Sequence, residues 1–121
     1  MGFAMLDLLA ASLLSFQAAE PWRDCLYNNK SIECRRTFLC EGAPCRRFEL
    51  EWKDGLKDVF TRYKDGVVRN VGYYTDSRGG QWILQGYADA FALVNLANSN
   101  TIIFNMTLRD CRQSPLSDRC Q

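Results

Sequence analysis

The sequence predicts an all-β domain: an antiparallel six-stranded meander, closed with N-terminal strands into a small up-and-down barrel and stapled by disulfides. Three observations predict it. Apolar and polar residues alternate over 47–53, where Phe48, Leu50 and Trp52 share a face, and over 101–109, where Ile102, Phe104, Met106 and Leu108 do. Between these runs, turn signals return every ten to twelve residues. Cysteines flank the meander without entering it: Cys25, Cys34, Cys40 and Cys45 come before it, Cys111 and Cys120 after it.

The elements follow in chain order. The 121 residues give room for one domain and one core. Residues 8–16 form an apolar run too short to span a membrane, and Gln17, Ala18 and Ala19 lead from it to polar Glu20. This is the pattern of a signal peptide over 1–19, although no Lys or Arg precedes the run and Asp7 stands at its edge. An amphipathic helix packed on the domain is the alternative. Residues 20–45 read as a cysteine-rich hairpin and strand segment. A four-residue loop at 28–31 would set Cys25 directly opposite Cys34. Residues 22–27 and 31–40 are the candidates for the strands that close the barrel.

The meander occupies 46–110, with strands expected near 47–53, 57–63, 67–75, 80–87, 90–96 and 101–109. Asp54-Gly55 is a strong hairpin signal. The run from Trp52 to Leu56, aromatic-Lys-Asp-Gly-aliphatic, recurs eleven residues later from Tyr63 to Val67. The alanines of 87–96 would also suit a helix, but the register of the meander favours a strand. The middle strands are apolar on both faces, with Tyr73 beside Tyr74 and Trp82 beside Ile83, so their second face is expected to be partly covered or to bind something. Residues 111–121 form a cysteine-bearing tail.

An even number of cysteines beside an export signal implies three disulfides and a secreted or periplasmic location. No C-x-x-C pair suggests a redox or zinc site. Closing the meander on itself would make Cys45 and Cys111 neighbours. This reasoning pairs Cys25 with Cys34, Cys45 with Cys111 and Cys40 with Cys120. The local alternative pairs Cys40 with Cys45 and Cys111 with Cys120.

Function is less legible. The formal net charge of +1 and the absence of any nucleic-acid motif argue against nucleic-acid binding, and nothing argues for stable membrane insertion. The chain contains no histidine, which excludes Ser-His-Asp and Cys-His catalysis by its own residues. No cofactor motif or metal-ligand spacing is present; Arg78-Gly79-Gly80 reads as a turn, without a Walker lysine. Glu49 and Glu51 share a strand face about 7 Å apart, a separation that glycosidases use, but a solvated face interleaved with Arg47 and Lys53 explains them as well. Asp54, Asp65 and Asp76 sit where turns favour Asp.

Arginines gather in the two cysteine-bearing segments. If disulfides join those segments, Arg35, Arg36, Arg46, Arg47, Arg112 and Arg119 converge on one end of the domain, a patch for an acidic partner. The aromatics Trp52, Tyr63, Tyr73, Tyr74, Trp82 and Tyr87 either line a ligand cavity or pack as core. The expected function is therefore a small exported, non-catalytic binding domain that presents its turns and an Arg-rich end to a protein or glycan. The architecture resembles that of small bacterial periplasmic β-barrel inhibitors of lysozyme, a likeness without shared motifs, which implies inhibition as one form of that binding. A small-ligand carrier, a carboxylate-based hydrolase and a structural assembly module are the competing readings.

Overall fold

The computed structural model describes residues 18–121, so the expected signal peptide over 1–19 lies almost wholly outside the described residues. Eight strands follow: β1 (Arg23–Tyr27), β2 (Lys30–Phe38), β3 (Arg47–Trp52), β4 (Lys57–Asp65), β5 (Val71–Asp76), β6 (Gln81–Tyr87), β7 (Ala90–Asn95) and β8 (Thr101–Phe104). Each pairs antiparallel with its sequence neighbour, and β8 pairs back onto β1, closing the barrel. The six expected meander strands and both N-terminal candidates are present. Closure removes the bare edges that an open meander would expose.

Strand alternation places Phe48, Leu50 and Trp52 of β3 inside, against Phe60 of β4, Tyr74 of β5, Trp82 of β6, Phe91 and Leu93 of β7, and Ile102 and Phe104 of β8. Their rings touch one another. Phe48 lies 5.5 Å from Phe60, 5.7 Å from Tyr74 and 5.6 Å from Phe91, and Phe91 stacks on Phe104 at 4.9 Å. The interior is thus filled by side chains, as barrels of eight strands commonly are.

Two expectations about the hairpin β1–β2 are corrected. Its loop is the two residues Asn28 and Asn29, both with positive φ (48° and 67°), and Tyr27 faces Lys30. Paired positive φ values give a turn whose twist matches that of the flanking strands. Cys25 therefore faces Ile32, not Cys34. The bridge still forms, because Cys25 and Cys34 share the inner face with Cα atoms 5.8 Å apart.

The other two pairings also differ from those expected. Cys40 bridges Cys45, and Cys111 bridges Cys120. The physical reason is that β1 and β2 stand between β3 and β8 in the closed barrel, so Cys45 and Cys111 are not neighbours.

The strand expected over 101–109 stops at Phe104. Asn105 turns to a φ of 66°, and Thr107 caps a short helix, α1 (Leu108–Arg112), by accepting from the Asp110 N–H. A single 3-10 turn over Ser117–Arg119 follows. This segment folds back over the outside of the barrel. Cys111, Leu116 and Cys120 bury against Leu26, Ala92 and Ile103, with Met106 and Leu108 packed alongside. Ile103, an apolar residue on the outer face of β8, is among those this cap covers.

The barrel has two mouths. The upper one is framed by Glu20 and by the connections 39–46, 66–70 and 88–89. The lower one is framed by the shorter turns 28–29, 53–56, 77–80 and 96–100. The repeated Lys-Asp-Gly runs do not form equivalent turns. The first makes the hairpin turn at Asp54-Gly55, with Gly55 at a φ of 95° and the Asp54 carboxylate accepting from Leu56 N–H. The second ends β4 at Asp65, and the strand expected from 67 starts only at Val71. Residues 66–70 loop out instead, leaving Val67 fully exposed.

Candidate functional site

Among the described residues, polar side chains on the inner face stand near the two mouths, where the strands meet solvent. At the upper mouth they are cationic. Arg36 points inward from β2 and donates to both Glu20 carboxylate oxygens (2.5 and 3.3 Å), with its guanidinium 4.4 Å above Phe38 and 4.8 Å above Phe104. Arg62 points inward from β4, donating from Nε to Asp65 (2.9 Å) and from Nη2 to the Val71 carbonyl (3.1 Å). Gly72 leaves the room that Arg62 fills, since a Cβ there would lie 2.6 Å from its Cζ.

Arg46, Arg62 and Arg69 surround a cleft of about 350 Å³ together with Asp65, Pro44 and Val68. Arg46 reaches Asp65 at 3.5 Å, so a single carboxylate is shared by two of the three cations. Val68 lines this cleft, and Phe38, Tyr63, Val67 and Tyr87 are the other large apolar or aromatic residues exposed toward the upper end of the barrel. A register shift between Arg62 and Lys64 is the local irregularity at Tyr63, near the end of β4.

The expected arginine cluster is brought together only in part. Arg36, Arg46 and Arg47 stand at the upper mouth. Arg35 lies on the outer face of β2, ion-paired with Glu51 at 2.6 Å and 4.3 Å above the Trp22 ring. Arg112 donates to the Cys120 carbonyl within the C-terminal cap, and Arg119 borders an outer groove of about 250 Å³ beside Ile83 and Val94. Strand alternation turns Arg35 outward, and local disulfides leave the C-terminal segment of Arg112 and Arg119 separate, so these three do not join the others. Arg62 and Arg69 complete the cluster in their place. No sequence signal marked them: Arg62 breaks the apolar inner face of β4, and Arg69 fell within an expected strand.

The lower mouth is acidic within. Asp76 ends β5, and one carboxylate oxygen accepts from Arg78 N–H and Gly80 N–H while the other accepts from the Trp82 indole, each at 2.8 Å. Burial alone would raise its pKa, but the bonds from Trp82, Gly80 and Arg78, with the charge of Arg78, outweigh burial and hold it below the usual carboxylate value. Asp58 faces inward from β4, 2.9 Å from Arg78. Burial raises its pKa, the Arg78 charge opposes the rise, and the negative charge of Asp76 adds to it. Beside Asp58 is a cavity of about 260 Å³ walled by Tyr27, Ile32, Trp52 and Leu56.

Glu49 and Glu51 lie on the outer face of β3, and Glu51 is held by Arg35 (2.6 Å) and Lys57 (4.0 Å). Among the described residues no group of three or more acidic or cysteine side chains is arranged to hold a metal ion, and no helix is long and apolar enough to cross a membrane. Of the aromatics considered for a ligand cavity, Tyr74 and Trp82 are packed core, and Trp52 is buried but also walls the cavity beside Asp58. Tyr73 is half-buried on the outer face beside Tyr63, and Tyr63 and Tyr87 are exposed toward the upper end. Comparison with protein-family models, curated proteins and solved structures finds no match for this chain.

Proposed function

We propose that this protein is an exported, non-catalytic binding domain that docks its upper rim on a protein partner. The observation that carries this reading is the upper end of the barrel: a cleft edged by Arg46, Arg62, Arg69 and Val68, with Phe38, Tyr63, Val67 and Tyr87 also exposed toward that end. Aromatic, aliphatic and arginine side chains are the materials of interface hot spots. The excess of guanidinium over carboxylate in the cleft favours an acidic side chain from the partner, set among apolar ones. An enzyme whose substrate cleft is acidic has that chemistry, and its inhibition would follow from Val67 and Val68 entering the cleft. Export is supported by three disulfides in so small a chain. A carrier that encloses its ligand within the barrel is disfavoured because the aromatics around Phe48 fill that interior.

The test immobilises the wild-type domain, the double variant Arg46→Glu/Arg69→Glu and the lower-mouth variant Arg78→Ala, and exposes each to the envelope and extracellular proteins of the native host. A partner held by wild type and by Arg78→Ala, with affinity reduced ~100-fold by the double reversal, is the expected result. Capture that survives the reversal undiminished, or no capture at all, defeats the proposal.

A further inference from the structure

The lower mouth contains a charged group that the fold does not need. Asp76 is explained by its turn: two backbone N–H groups and an indole N–H would otherwise lack an acceptor. Asp58 has no comparable role. Its one ion-pair partner among the described residues is Arg78, whose side chain is 66% exposed while that of Asp58 is 19% exposed. A partly desolvated carboxylate, paired with a cation that water already solvates, costs stability for little return. Across the ladder it faces Leu50, where an apolar residue would pack. Desolvated acids without a structural task mark binding sites.

The surroundings indicate what would bind. The cavity lining combines two kinds of residue: Tyr27, Ile32, Trp52 and Leu56, with the Tyr27 and Trp52 rings meeting edge to face at 5.8 Å, and the charged Lys30, Arg78, Asp54 and Asp58, two cations and two acids. An ion gains nothing from a balanced set, and a wholly apolar ligand would strand Asp58. A neutral ring with one apolar face and a rim of hydroxyls satisfies both kinds, because carboxylate accepts, guanidinium donates, and the aromatic rings take the C–H face. A volume of about 260 Å³ accommodates one such ring and not a chain.

We propose that the lower mouth is a binding site for a single pyranose ring of a neutral sugar, with Asp58 and Arg78 bonding its hydroxyls and Tyr27 and Trp52 flanking its apolar face. The site lies at the opposite end from the rim assigned to a protein partner and does not depend on that assignment. The ring is either a free monosaccharide or the end of a glycan.

The experiment titrates the folded, disulfide-bonded protein with glucose, galactose, mannose and N-acetylglucosamine, each free and as a trisaccharide, and follows the indole N–H signals of Trp22, Trp52 and Trp82 by NMR. At ~10 mM sugar, enough to fill a ~1 mM site, the Trp52 signal moves and those of Trp22 and Trp82 move less. Arg78→Ala and Tyr27→Ala, at exposed positions whose spectra report folding directly, weaken the effect at least ~10-fold, and Asp58→Asn does the same. Val67→Asp at the upper rim leaves it unchanged. A trisaccharide that binds more tightly than its monosaccharide assigns a glycan end; equal affinity assigns the free sugar. Failure of every sugar to move Trp52, or shifts that persist in both Arg78→Ala and Tyr27→Ala, overturns the proposal.

Discussion

At the upper mouth, inward-facing Arg36 and Arg62 are neutralised by Glu20 and Asp65, side chains contributed by the chain entry and by a strand end. At the lower mouth, inward-facing Asp76 is neutralised chiefly by the backbone of its own turn and by Trp82. Both mouths solve one problem: the apolar interior has to end in groups that water and partners can satisfy. They solve it at different cost to adaptability. Side-chain pairs at a rim can be exchanged for a partner's groups, whereas a carboxylate bound into a tight turn cannot. The longest connection, the eight residues of 39–46, is also at the upper mouth, while no lower turn exceeds five. The upper mouth is therefore the adaptable end, and the lower mouth is the rigid one.

The largest effect expected from this contrast is on folding. Asp76→Ala leaves the Trp82 indole and two backbone N–H groups without their acceptor and should cost about 2–4 kcal/mol, read as a shifted urea midpoint with an unchanged slope. Arg46→Ala with Arg69→Ala, at exposed positions of the upper rim, should stay within about 0.5 kcal/mol of wild type. An upper-rim loss equal to that of Asp76→Ala would erase the distinction between a fold-supporting end and a partner-facing one.

A smaller effect concerns the disulfides. Cys111 and Cys120 are fully buried beneath the C-terminal cap, whereas Cys40 and Cys45 close a short, partly exposed loop at the upper mouth. Replacing Cys40 and Cys45 by Ser should lower stability by only about 1 kcal/mol, and the same change at Cys111 and Cys120 by about 2–3 kcal/mol, measured side by side in urea. Equal losses would mean that the 39–46 connection is as much a part of the folding unit as the cap is.

The unequal legibility of the two mouths follows from the same physics. Alternation exposes a strand when one face is apolar, so β3 was plain from Phe48, Leu50 and Trp52. The end of β8 was not, because Met106 and Leu108 continue the period of Ile102 and Phe104 while serving a different apolar surface, the cap over Leu26 and Ile103. Cystine pairing is not legible from the six-stranded meander alone, because two more strands stand between Cys45 and Cys111 in the closed barrel. Arg46 and Arg47 could be placed at one end from their position beside Cys45. Asp58 is not legible as an inward acid: it shares a face with Phe60, but Val59 on the other face is apolar too, so the sequence of β4 does not declare which face is the inner one. Asp76 was legible as a turn residue, but its bond to Trp82 depends on the pairing of β5 with β6.

The smallest expected effect tests the lower mouth by its pH dependence. Asp76, with its pKa lowered, contributes stability that is present above the unfolded carboxylate value and is lost as pH falls through its folded value. Asp58, with its pKa raised above 3.8, acts in the opposite sense: the folded protein holds that proton more tightly, so its contribution declines as pH rises through the raised value. Asp58→Asn removes only the second contribution. Relative to wild type, the variant should therefore gain stability as pH rises from 3 toward 7, by at most about 1 kcal/mol because the Arg78 partner is solvent-screened. Asp76→Asn should show the reverse trend, losing ground to wild type as pH rises from 3, because it lacks the carboxylate whose lowered pKa supplies that pH-dependent stability. The donor its amide presents to the Trp82 indole or the turn N–H groups adds a loss that does not depend on pH. Urea midpoints of the three proteins at four or five pH values in that range separate the two behaviours. If Asp58→Asn instead loses stability relative to wild type as pH rises, its carboxylate is a net support of the fold, and the surplus charge from which the sugar site was argued does not exist.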